Sequence, residues 1–324
     1  MMDVIGFGAL NLDYIYTIED IHHIATPEFP LHPGGEIHSR SLSSLRILRD
    51  ILRRYGRLMA KSGGGSAANT IFALSRMGFK TSFIGKVGCD EEGEFIIKSL
   101  KKVSTDFVRR EGRSGICIIV MDRFLDRSIF VLPETNTDIN IDEGYVEFVG
   151  KSRFLHLSSF VRKRSLNSQV RLVKRLPPEV KLSLDPGEIY AEKGIKEILP
   201  LIKRSFIIFL TNREIEKLTG KGFKEGSQEL LRMGPSIVVC KMGKEGSYIF
   251  SKEEAFKIPS EEVKVVDNTG AGDVYNAGFL AGLLLNQPLY HCGLFATKVA
   301  VASITGYGRS RYPTRKDLRE FFKR

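Results

Sequence analysis

Strand-like and helix-like segments alternate along this 324-residue chain, and that alternation limits its fold more than any other feature. Apolar, β-branched runs at 1–8, 81–85, 154–157, 180–185, 206–210 and 237–240 read as buried strands. Helical periodicity occupies 69–77, 92–102 and 278–285. Strands separated by helices imply an α/β protein around a largely parallel sheet, because a parallel neighbour is reached only through a crossover. No repeat or low-complexity linker divides the chain, so one domain over 1–324 is expected.

Composition narrows the function classes. Hydrophobic content of 42% and charged content of 27% are ordinary for a globular protein. No apolar run approaches the ~20 residues that span a bilayer, and Met1 leads straight into a strand-like run at Val4, Ile5 and Phe7. No membrane association and no signal peptide are expected. The four cysteines have no C-x-x-C spacing, which argues against a zinc site or disulfide framework and suits a reducing cytoplasm. The net charge of +11 is spread out, with no basic tail or basic-aromatic interleaving, so nucleic acid is not the expected partner. It suits a solvated surface, or attraction of phosphorylated small molecules.

The chemistry concentrates in Asp267-Asn268-Thr269-Gly270-Ala271-Gly272-Asp273, which runs into an apolar helix-like segment (Val274, Ala277, Phe279, Leu280). Small residues let backbone N–H groups turn toward an anion, where a helix N-terminus adds positive partial charge. Asp273 then lies in the first helical turn, beside that anion and able to take a proton. An anion cradle next to a base is what phosphoryl transfer to a hydroxyl requires. A bare glycine loop with an acidic cap has the same outline.

This heptapeptide resembles the C-terminal signature of the PfkB, or ribokinase-like, carbohydrate and nucleoside kinases. Gly63-Gly64-Gly65-Ser66-Ala67-Ala68-Asn69 resembles the family's N-terminal glycine-rich signature. The resemblance covers nearly the whole chain. It implies a ribokinase-like three-layer α/β/α fold with a central, mostly parallel sheet and a small β-sheet lid. Strand-like patterns that break the βα rhythm, at 12–18, 35–42, 114–122 and 128–132, would make that lid, in segments of about 12–42 and 113–133 with a charged turn at 124–127. Periodicity alone leaves open that they extend the main sheet.

By the same resemblance Asp273 is the catalytic base, with Gly270, Ala271 and Gly272 cradling the transferred group. Asn11 and Asp13, which follow the first strand, would hold acceptor hydroxyls together with Gly64, Gly65 and Asn69. Taken alone, Asn-x-Asp there reads as a turn. Lys241, Gly243 and Gly246, after the strand at 237–240, resemble the nucleotide-edge loop. Glu214 matches the glutamate that acts on hydrated magnesium, and Thr211 stands where the family usually has asparagine. The implied cofactor is Mg2+ with ATP, or with ADP in some relatives. Asp267 and Thr269 match positions beside a monovalent cation, K+, in many members, and pairing of two copies through the lid is one implied assembly.

Asp185-Pro186-Gly187 and Leu12-Asp13-Tyr14 look most like archaeal-type nucleoside kinases, which makes ATP and a sugar or nucleoside the expected pair. A sugar-phosphate kinase, with ADP as one possible donor, is the alternative. Leu45, Leu48, Leu52, Tyr55 and Met59 against Arg46, Arg49, Arg53 and Arg57 predict an extra amphipathic helix over about 43–60. Its arginines would be solvated, form a dimer contact, or make a basic rim for phosphorylated ligands. Two rivals lie outside phosphoryl transfer. Gly63, Gly65 and Ala68 fit a dinucleotide fingerprint, but Gly63 is expected to follow the arginine-rich helix rather than a strand. A non-catalytic sensor would most simply have lost Asp273. No G-x-x-x-x-G-K-[ST] occurs, which excludes a P-loop.

Overall fold

The computed structural model describes residues 1–26, 29, 31–32, 35–39, 41–124, 127–136 and 139–322. The parts of the expected lid at 27–28, 30, 33–34, 40 and 125–126, including the middle of the charged turn, lie outside the described residues. The first nine strands are β1 Met2–Phe7, β2 Asn11–Thr17, β3 Glu36–His38, β4 Arg57–Gly64, β5 Thr81–Val87, β6 Val103–Ser104, β7 Val108–Arg110, β8 Gly115–Met121 and β9 Arg127–Leu132. They are followed by β10 Ser152–Ser158, β11 Lys181–Asp185, β12 Ser205–Thr211, β13 Ile237–Lys241, β14 Ser247–Ser251 and β15 Ala255–Ile258.

The larger sheet runs β15-β14-β13-β12-β11-β10-β1-β5-β6, with β7 also on β5. Neighbours from β13 to β6 are parallel, and β14 and β15 close one edge antiparallel. Its two faces feed two cores. Val4, Ile207, Phe209, Ile237 and Val239 pack on one side, while Ile5, Phe7, Ile208, Leu210, Val238 and Cys240 pack on the other. Successive side chains point to opposite faces, so helices on both faces require nearly continuous apolar strands. This is the expected three-layer arrangement. The strand order reverses between β1 and β10, where ligands of open α/β sheets bind beyond the strand ends.

The extra strands form a separate sheet of order β3-β9-β8-β2-β4 and do not extend the main one. Strand β2 pairs parallel with β8 and antiparallel with β4, which brings Asn11 opposite both Gly64 and Gly115. The 35–42 pattern contributes only β3, and Leu42 opens a helix instead.

The arginine-rich helix is Leu42–Tyr55, with Leu45, Leu48 and Leu52 buried and Ser41 as N-cap. It stops short of the expected residue 60. Gly56 is extended (φ −115°, ψ 152°), and the backbone beyond it pairs with β2, Arg57 opposite Thr17 and Leu58 opposite Tyr16. Arg57 and Met59 are therefore strand residues. Gly63 is thus itself a residue of β4, so a strand rather than the helix leads into the glycine signature, contrary to expectation. That strand belongs to the second sheet while β5 belongs to the first, so the βαβ unit of a dinucleotide fingerprint is still lacking. Among the described residues no helix is long and apolar enough to cross a membrane.

Candidate active site

The two glycine signatures, two hundred residues apart in sequence, meet at the N-terminus of the helix Ala271–Leu284. Its cap, Gly270, is left-handed (φ 78°), and a Cβ there would fall 2.4 Å from the Tyr312 hydroxyl. Glycine satisfies both constraints at once. Asp273, in the first turn, is held from the other signature. Ser66 Oγ donates to its Oδ1 at 2.6 Å, Asn69 Nδ2 donates to its Oδ2 at 2.8 Å, and Thr70 Oγ1 donates to its backbone oxygen at 3.1 Å. Burial raises the Asp273 pKa from 3.8 to about 6, and the charge of Asp185 adds to the rise; the Ser66 and Asn69 bonds and Lys241 oppose it. Such a carboxyl is ionised near neutral pH yet more basic than a solvated one.

On one side of this turn lies a first cleft of about 240 Å³ between the ends of β1, β10 and β11 and the second sheet. Asn11, Asp13, Gly65, Ser66, Asn69, Thr269, Gly270 and Asp273 line it. Asn11 is oriented by Asn136, whose Nδ2 donates to Asn11 Oδ1 at 2.9 Å. Asp13 is 8% exposed, and no donor among the described residues reaches its Oδ1. Gly64 makes room for it, since a Cβ there would lie 2.0 Å from Asp13 Oδ1. Burial lifts the Asp13 pKa to about 7; Arg309 opposes the rise, and Asp273 and Asp267 add to it. A buried carboxylate oxygen without a partner is costly unless a ligand supplies the donor. The other walls include Cys117, Ile119, Ile129, Val131 and Phe160, with Glu36 and Glu188.

On the other side a second cleft of about 540 Å³ is lined by Asn268, Ala271 and Gly272, by Lys241, Gly243, Lys244 and Gly246, and by Val263, Val265, Ala300, Val301 and Ile304. Beneath it, Lys241 Nζ donates to Asp185 Oδ2 at 2.8 Å, and Asn276 Nδ2 donates to the same oxygen at 2.6 Å. Burial alone would raise Asp185, but the Lys241 cation and these bonds hold it below its ordinary value.

Thr211 and Glu214 are not among the residues lining either cleft. They form a capping box at the helix Asn212–Thr219: Thr211 N–H donates to Glu214 Oε2 at 2.8 Å, and Glu214 N–H donates to Thr211 Oγ1 at 3.3 Å. Burial and the charge of Asp185 raise the Glu214 pKa. Asp267 is buried, with Oδ1 accepting Thr269 N–H and Oδ2 accepting Gly308 N–H, each at 2.9 Å. Thr269 Oγ1 is buried without a partner among the described residues.

Sequence reasoning missed Asn136, Glu36, Glu188, Arg309 and Tyr312. Asn136, Arg309 and Tyr312 lie far along the chain from what they touch, whereas Glu36, bonded to His38, and Glu188, directly after Asp185-Pro186-Gly187, reach the cleft only through the fold. Only Tyr312 carried a hint, as an aromatic in an otherwise polar stretch (309–316).

The profile of the "pfkB family carbohydrate kinase" matches residues 44–315. An uncharacterized sugar kinase of Archaeoglobus fulgidus is 40% identical over 241 residues, covering 72% of this chain and 95% of the relative. The adenosine kinase of Sinorhizobium meliloti superimposes with a TM-score of 0.87 at 19% identity, covering 98% of this chain and 99% of that one. The ribokinase of Arabidopsis thaliana, solved with ribose and ATP, gives 0.78 at 21% identity, covering 100% and 99%. At such identities the two structures speak for the fold, which is ribokinase-like. The chain belongs to the pfkB family of carbohydrate kinases. It is a sugar or nucleoside kinase, a phosphotransferase, and the dinucleotide and sensor readings fall.

Proposed function

We propose that this kinase transfers the terminal phosphate of ATP to a hydroxyl of an uncharged sugar or nucleoside, with Asp273 as general base. One observation carries the reading: the two clefts abut at a single helix N-terminus. Thr269, Gly270 and Asp273 face the first cleft, and Asn268, Ala271 and Gly272 line the second. An acceptor in the first cleft hydrogen-bonds to Asn11, Asp13 and Asn69, with Gly64 and Gly65 allowing close approach, and sets one hydroxyl against Asp273. ATP lies in the second cleft against Lys241, Gly243 and Gly246. Asp273 takes the hydroxyl proton as that oxygen attacks the terminal phosphorus. The N–H groups of Gly270, Ala271 and Gly272 meet the negative charge gathering on the transferred group.

Mg2+ would neutralise the nucleotide phosphates. Half-buried Glu214, its ionised carboxyl made costly by desolvation and by Asp185, is the group we assign to its hydration shell, with Thr211 as its cap. Thr269 Oγ1, without a partner among the described residues and beside Asp267, fits an oxygen site for a monovalent cation such as K+. The second sheet acts as the lid of one kinase domain spanning 1–324. Its edge strand β4, with Leu58 exposed, is our surface for pairing two copies, which sedimentation would detect. Four free cysteines fit a reducing cytoplasm.

The sugar-phosphate alternative is disfavoured. Among the described residues lining the first cleft are Asp13, Glu36, Glu188 and Asp273, and no Lys, Arg or His. A coupled assay crossing ATP and ADP with nucleosides, free sugars and sugar phosphates tests the proposal. Turnover of an uncharged acceptor with ATP is expected; turnover confined to sugar phosphates would overturn it.

A further inference from the structure

Arg309 is 240 positions from Asn69 in sequence, yet its Nε donates to Asn69 Oδ1 at 2.9 Å. Asn69 in turn gives its Nδ2 to Asp273 Oδ2 at 2.8 Å. A primary amide fits its place in either of two orientations, whereas a guanidinium offers only donors. With Arg309 on one side, Asn69 must turn its oxygen to the arginine and its NH₂ to the carboxylate. Freed of Arg309, a flipped Asn69 would set its oxygen against Asp273 Oδ2, acceptor against acceptor. We propose that Arg309 is a positioning residue for phosphoryl transfer, locking the Asn69 amide so that Asp273 stays ionised and aimed at the acceptor hydroxyl. The proposal rests on Asp273 being the base.

Arg309 does this from outside the acceptor cleft. Gly63 and Gly64 are consecutive on β4 and face opposite sides. A Cβ at Gly63 would lie 2.9 Å from Arg309 Nη1, whereas one at Gly64 would lie 2.0 Å from Asp13 Oδ1. The guanidinium is 4.8 Å above the Phe72 ring, and Nη1 donates to Ser99 Oγ at 3.4 Å. Among the described residues no acceptor reaches Nη2. The cation is therefore held by Asn69, Ser99 and a ring rather than by a contacting carboxylate, and it acts on Asp13 and Asp273 through space.

The charged and titratable groups facing Asp273 are Asp185 and Lys241 from the nucleotide side, and Asp13, Arg309 and Tyr312 from the other. Removing Arg309 takes away a cation and the amide lock together. Both changes favour the protonated carboxyl, so Asp273 should titrate at higher pH.

The test is a carbon-13 NMR titration of the aspartate carboxyls in the parent protein and in Arg309→Met, with Asp273→Asn used to assign the signal. We expect the Asp273 midpoint to move upward from about 6 in Arg309→Met. With ATP and whichever of adenosine, cytidine, guanosine, ribose or fructose is turned over, kcat should fall about 10- to 100-fold, as for a misaimed group, with the ATP Kd unchanged. Arg309→Lys keeps the charge but not the Nε contact, so it should show the same changes to a smaller extent, and it carries the test if Arg309→Met does not fold. An Asp273 midpoint unchanged in the folded variants overturns the proposal, whatever happens to kcat. An active Asp273→Asn would instead remove the base assignment, a different result from an unmoved titration.

Discussion

The two sides of the Gly270 turn treat buried charge in opposite ways. On the acceptor side Asp13 and Asp273 make no ion pair among the described residues, and both are pushed upward, to about 7 and about 6. On the nucleotide side Asp185 is as deeply buried as Asp13 but is paired with Lys241 at 2.8 Å, and its pKa is held down. The acceptor side keeps lone pairs in reserve for ligand hydroxyls. The nucleotide side spends its carboxylate on fixing a lysine next to the anion cradle. Readiness for a neutral ligand costs stability, and readiness for a polyanion is built as an internally neutralised frame.

Asp273→Asn should break the acceptor side most. It removes the base and keeps the shape, so turnover should fall by about 10²–10⁴-fold while ATP binding, followed by calorimetry, is retained. Near-normal turnover by the folded variant would end its catalytic assignment.

Lys241→Met probes the other side. It leaves Asp185 buried without its cation, and urea unfolding should show a loss of about 3–5 kcal/mol, the range for stranding one partner of a buried pair. A loss below about 1 kcal/mol, the worth of an exposed pair, would mean the two sides do not differ in this way.

Asp13 should respond with the opposite sign. Asp13→Ala should weaken the acceptor by on the order of 1–3 kcal/mol and leave the nucleotide constant alone. The folded pKa of about 7 lies above the ordinary 3.8, so the folded protein holds this proton more tightly than the unfolded chain does. Stability from this group is present at low pH and is lost as pH rises between those values. Asp13→Asn, neutral throughout, should raise the Tm at about pH 8 and leave it nearly unchanged at about pH 4. A Tm gain equal at both pH values would refute the buried-charge account.

The arginine-rich helix should matter least. Arg46, Arg49 and Arg53 are on it, Arg49 lying over the Tyr14 ring at 4.9 Å and Arg53 bonded to exposed Asp50. Replacing the three by glutamine should leave kcat/KM within about twofold, since exposed charges are screened over ~8–10 Å. A salt-dependent rise in acceptor KM would revive the basic-rim reading and, with it, a phosphorylated acceptor.

The alternation of strand-like and helix-like runs was enough to set the α/β class, because a strand buried on both faces is apolar at nearly every position. The two signatures were equally legible, since a glycine turn ahead of a helix and a carboxylate in its first turn are local features. The N-terminal signature reveals Ser66 and Asn69; that both grip Asp273 is a matter of assembly. Pairing decided the end of the arginine-rich helix: its periodicity continues to Met59, but β2 offers the backbone beyond Gly56 a ladder, which the helical pattern cannot reveal. That the lid strands form a separate sheet, which periodicity left open, and that Arg309, Asn69 and Asp273 form a chain were likewise settled by tertiary structure, whereas the capping box of Thr211 and Glu214, three residues apart, is a local pattern the sequence contains. Local sequence encodes which conformations a segment prefers; contacts between residues up to 240 positions apart depend on the whole chain closing, and no window on the sequence contains both partners.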